Sequence, residues 1–143
     1  MNRHFKLDAA GNVMPVESTD RHEAVRIEND LLARPLIVTA YHAPKNLNYK
    51  AAKKWAEKLN LNGWTWRLPT VEEALFIPDR SKYPALDKTF FPDFEDYEWI
   101  WTDTVDAEDP AGCAWLVYLS DGFAGRDLQA GRGRVRAVRS GQF

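Results

Sequence analysis

A single cysteine, Cys113, means that no internal disulfide can staple the chain and that no paired-cysteine metal motif is possible. Long hydrophobic runs are missing as well. Leu36-Ile-Val-Thr-Ala-Tyr41 has the length of a strand and falls well short of the roughly 18 residues of a membrane helix, so no membrane attachment is expected. The start, Met1-Asn-Arg-His-Phe-Lys6, lacks the apolar stretch of a secretory signal, and the expected compartment is the cytoplasm. Basic excess is also lacking. With a formal net charge of −2, direct nucleic-acid binding driven by bulk charge is not expected.

What the chain does have is apolar and aromatic mass. Its 143 residues, 45% of them hydrophobic, are enough for one self-supporting core. Six tryptophans, five tyrosines and seven phenylalanines make large rings the main source of buried area. Charge is segregated along the chain. Residues 72–110 carry twelve acids against three bases, whereas 123–143 carry five arginines against one aspartate.

Residues 1–24 mix Gly11, Pro15 and Ser18 with scattered charges and show no sustained apolar period, which predicts a loosely packed arm or short strands ahead of one domain over 25–143. Alternation from Val25 and the aliphatic run to Ala40, split by Asn29-Asp30, predict a hairpin. Asn48 is placed to cap a helix over 48–60, with Ala51, Ala52, Trp55, Ala56 and Leu59 on its dry side and Gly63 beyond its end. Thr70-Val-Glu-Glu73 has capping-box spacing and starts a second helix, kept short by Pro78. Residues 79–98, with two prolines and many acids, read as a long irregular loop. Segments 99–102, 114–119 and 135–139 read as strands, with Asp121-Gly122 as a hairpin turn. Hairpin-sized links there exclude a parallel sheet, so the class is α+β.

Gly63-Trp-Thr-Trp-Arg-Leu-Pro-Thr70 with Glu73, Trp101-Thr102, Ala114-Trp115 with Asp121-Gly122, and Val135-Arg-Ala-Val-Arg139 occur in a telling order. Over residues 48–140 this order resembles the Lcl C-terminal domain family. The resemblance implies a C-type-lectin-like fold, with two helices packed on a small antiparallel sheet and long loops that present ligand-binding residues.

Read from the residues alone, Trp66, Leu68, Trp101, Trp115, Val135 and Val138 are core, and Arg67 is placed to pair with Glu73 at the strand-to-helix corner. The acids of 103–109 do not follow the EF-hand ligand spacing, and His4, His22 and His42 have no helical metal spacing, so no metal is expected. Cys113 reads as a small buried thiol, and nucleophile-elbow, P-loop and dinucleotide motifs are missing, so neither enzymatic activity nor a cofactor is expected.

The remaining candidates are ligand-binding. Tyr97 and Trp99 beside Glu95 and Asp96 form an aromatic-acidic stretch suited to a protein or glycan contact. Arg132, Arg134 and Arg136 alternate, with Arg126 across the hairpin. They suit either an anionic partner or ion pairs with the acidic middle of the same chain. The leading expectation is a non-enzymatic binding module of adaptor or phage type, using loops 79–98, 103–112 and 121–134. The alternative is an intracellular inhibitor whose acidic middle occupies a basic nucleic-acid channel on a target protein.

Overall fold

The computed structural model describes residues 2–139. Nine strands and two helices follow the chain: β1 Arg3–Leu7, β2 Val13–Met14, β3 Ala24–Glu28, β4 Leu36–Thr39, α1 Tyr49–Lys58, β5 Trp66–Arg67, α2 Val71–Ala74, β6 Trp99–Val105, β7 Cys113–Tyr118, β8 Ala124–Leu128 and β9 Val138–Arg139. They build two antiparallel sheets, one of six strands ordered β2-β1-β3-β4-β9-β5 and one of three ordered β6-β7-β8. The class is α+β.

All four residues of β4 are buried because both faces of the central sheet are covered. Leu36 and Val38 point to one hydrophobic cluster with Ile77, Phe91, Phe94, Ile100 and Leu119. Ile37, on the opposite face, joins Trp66, Trp101, Val135 and the α1 residues Tyr49, Ala52 and Ala56. A two-sided environment explains why this stretch reads as a continuous apolar run.

Both helix starts form as their sequences predict. The Asn48 side chain accepts from the Ala51 amide at 2.9 Å. At α2, Thr70 Oγ1 accepts from the Glu73 amide at 3.1 Å while Glu73 Oε1 accepts from the Thr70 amide at 2.8 Å. Arg67 closes the corner with a two-pronged contact to Glu73 at 2.6 and 2.8 Å. Burial alone would push the Glu73 carboxyl up; Arg67 and Thr70 together bring it below its ordinary value.

Four expectations need correction. Of the two readings of the N-terminal segment, short strands hold and the loose arm does not, since β1 pairs with β3 along its whole length, from Arg3 opposite Glu28 to Leu7 opposite Ala24. Its charges disguise it. Lys6 is buried with Nζ donating to the Val16 and Ser18 carbonyls, so the ammonium is satisfied inside the sheet's margin. The terminal strand, read over 135–139, is regular only at Val138–Arg139 and joins the large sheet between β4 and β5. Trp115 is only half-buried, on the β7 face where its partner Arg126 lies over the ring. Finally, loop 79–98 is not wholly a surface loop: successive tight turns (Phe91 N to Asp87 O, Phe94 N to Phe91 O) send Leu86, Phe91 and Phe94 inward while most of its other residues stay exposed.

That inward loop also meets two histidines. His4 stacks on Phe90 with centroids 5.0 Å apart, and His22 is buried with Nε2 donating to the Phe90 carbonyl at 2.6 Å. Burial lowers both imidazoles below their ordinary value of 6.5. The unfolded chain therefore takes up protons that the folded chain refuses. This contribution to stability is whole above that ordinary value and is lost as the pH falls through it. Thermal melts at pH 7.5 and 5.5 are expected to show a lower midpoint at the acid value, and a His4→Phe/His22→Gln variant should show a clearly smaller drop.

Candidate functional site

Behind the candidate site runs the C-terminal segment, which ties the two sheets together. The Arg134 amide donates to the Trp99 carbonyl, Gly133 exchanges two backbone bonds with Leu47, and the Ala43 amide donates to the Val135 carbonyl. Trp101 Nε1 adds a bond to the Leu47 carbonyl at 2.9 Å. Three separate segments, around residues 46, 95–99 and 132–134, are thereby fixed side by side.

Between them lies a crevice of about 190 Å³, lined by Asn46, Glu95, Asp96, Tyr97, Glu98, Trp99, Arg132, Gly133 and Arg134. Six of the seven residues nominated from sequence line it. Arg126 does not: its guanidinium pairs with Asp106 at 3.1 Å over the Trp115 ring.

Two buried anchors hold the 95–99 turn. Glu98 is fully enclosed and its carboxylate receives Arg136 Nε at 2.8 Å and Nη2 at 3.1 Å. Arg136 is itself completely buried, donates to the Ala40 carbonyl and reaches Asp93 at 2.8 Å, so it cannot share a wet face with Arg132 and Arg134. On the other side of the turn, the Trp99 indole packs edge-on against Trp101 at 5.1 Å and lies directly on Gly133. Between these anchors Tyr97 takes a left-handed backbone (φ 65°), and its side chain projects into solvent, 80% exposed. An ordinary L-residue pays about 1 kcal/mol or more for that conformation, which the flanking anchors offset.

The charges of the site fall into two groups. Arg134 Nη2 bonds Glu95 Oε1 at 2.7 Å, so this pair forms one wall. Arg132 and Asp96 are exposed, and neither makes an ion pair with another described residue. The crevice thus offers one free cation, one free anion, the Asn46 amide and two rings.

Sequence reasoning missed Asn46, Gly133, Tyr118 and Phe123. Tyr118 is the cross-strand partner of Trp99, and its amide donates to the Phe123 carbonyl at the hairpin turn. Cross-strand partners share a face, so these rings, 36% and 69% exposed, continue the aromatic surface away from Trp99. The alternation across β6 and β7 was the available signal.

Other chemistry is sparse. No group of three or more His, Cys, Asp or Glu placed to hold a metal ion occurs among the described residues. Cys113 is half-exposed and not buried as its sequence suggests; desolvation and the adjacent Asp109 carboxylate push its thiol up, away from the reactive thiolate. No described helix is long and apolar enough to cross a membrane.

These features define an α+β domain of two antiparallel sheets with a ring-lined, mixed-charge crevice at their junction. Residues 20–139 match the Lcl C-terminal domain, and the chain belongs to that family. Comparison with curated proteins gave no match.

Proposed function

We propose that the domain is a non-enzymatic binding module of C-type-lectin-like architecture that recognises a protein or glycan ligand through the crevice at 95–99 and 132–134. The observation that carries this reading is Tyr97, an exposed ring on a left-handed backbone between two buried anchors, with unpaired Arg132 and Asp96 nearby. Rigid aromatic groups contribute contact area at small entropic cost, while unpaired charges at the rim select orientation. The acidic-inhibitor alternative finds less support, because Glu73, Asp93, Glu95, Glu98 and Asp106 are all engaged by arginines of the same chain.

The test is a glycan array run beside affinity capture, with wild type, Tyr97→Ala, Arg132→Ala and Arg126→Ala. Loss of retention by about 30-fold in the first two variants is expected, the size of a typical hot-spot truncation, with Arg126→Ala unchanged. Retention that survives both crevice variants, or that depends on Arg126, removes the crevice from consideration.

A further inference from the structure

His42, on the connection between β4 and α1, stands behind the crevice with its side chain 12% exposed. Its Nδ1 lies 2.7 Å from the Ala43 carbonyl oxygen. A carbonyl can only accept, so Nδ1 carries the hydrogen and Nε2 of the neutral ring is a bare acceptor. That nitrogen has two neighbours of opposite kind: Arg134 Nη1 at 3.3 Å and Asp93 Oδ2 at 3.2 Å. A neutral ring accepts from Arg134 and has nothing to give Asp93. A protonated ring donates to Asp93 and meets Arg134 as a like charge.

The two neighbours are not equally free to respond. Asp93 is pinned, with Oδ1 on Arg136 at 2.8 Å and Oδ2 on the His42 amide at 2.8 Å. Among the described residues, Arg134 is held at its other end only by Glu95, whose side chain is 64% exposed. Other charged or titratable groups near the ring among the described residues are Arg136, locked onto Glu98, and Arg21, Glu23 and Tyr41, which line a separate hollow with His42.

We propose that His42 is a positioning residue for the crevice, its protonation exchanging Arg134 for Asp93 and so shifting the Arg134–Glu95 wall. The inference rests on the crevice being the binding site, but it is tested without a ligand, so its failure would leave the Tyr97 and Arg132 binding results standing.

The experiment is an NMR titration of the full chain from pH 8 to pH 5, the range in which histidine charge ordinarily changes. It follows the His42 Cε1–H, Arg134 Nε–H and Trp99 indole N–H signals. Arg134 and Trp99 are expected to shift with the midpoint of His42. In His42→Gln, whose amide oxygen can accept from Arg134 without titrating, those shifts should vanish. In Arg134→Gln, removal of the facing cation should move the His42 midpoint to higher pH. The proposal is overturned if His42 takes up no proton down to pH 5, if Arg134 and Trp99 stay still while it does, if their shifts persist in His42→Gln, or if Arg134→Gln leaves the His42 midpoint where it was.

Discussion

Replacing Arg136 by methionine is expected to destabilise the domain by about 3–5 kcal/mol, the usual cost of orphaning a buried ionic partner. Glu98, with no exposed side-chain surface, would lose both of its guanidinium contacts. The Ala40 carbonyl and Asp93 would each lose a donor as well. Methionine retains most of the aliphatic volume next to Phe91, so the loss isolates polarity from packing. Urea titration measures it. Arg136→Lys should recover little, because one ammonium cannot reproduce the forked contact across three acceptors, whereas adding Glu98→Gln to Arg136→Met should recover part of the deficit by removing the uncompensated charge. An unfolding free energy for Arg136→Met within about 0.5 kcal/mol of wild type, the range of an ordinary surface substitution, would contradict this account of the junction.

The second large effect is expected at Gly133. A Cβ there would fall against the Trp99 six-membered ring, well inside any real contact distance. Because the indole is braced by Trp101, Gly133→Ala must displace Trp99 or part the Leu47–Gly133 backbone pairing. We expect a loss of about 1–3 kcal/mol, as for other overpacked sites, with altered tryptophan fluorescence and loss of ligand retention. Gly125→Ala is the matched control: its Cβ would meet Leu116 Cδ1 at 3.5 Å, an ordinary contact, and wild-type stability is expected. Equal behaviour of the two variants would show that close packing on Trp99 is not what shapes the crevice.

Local signals in the sequence carried well where each residue answers to its near neighbours. Asn48, Thr70 with Glu73, and Asp121-Gly122 fall where short-range bonding dictates, and the Arg67–Glu73 pairing follows from six residues of separation. They failed where a charged residue is satisfied from afar. Arg136 looks like one of an alternating trio until Glu98, 38 residues earlier, is brought beneath it. Lys6 hides a strand in the same manner. The crevice was largely legible because its aromatic-acidic stretch and its arginines are each compact in sequence. Asn46 was not, because contacts from residues distant in sequence, the Leu47–Gly133 bridge and the Trp101 bond to Leu47, bring it to the site. Loop 79–98 has no period because single turns, not a helix or strand, deliver its phenylalanines to the core.

The position of β9 bears on how the chain is made. β5 touches the large sheet only through Val138 and Arg139, while Val138 also pairs with Val38 of β4. During synthesis, β1 to β4 can zip together early, but β5 has no strand partner until residues 138 and 139 have emerged from the ribosome. The crevice shares this fate, since residues 132–134 emerge only slightly sooner. A nascent chain therefore completes the crevice only after these late segments have emerged, at about the point where the large sheet closes.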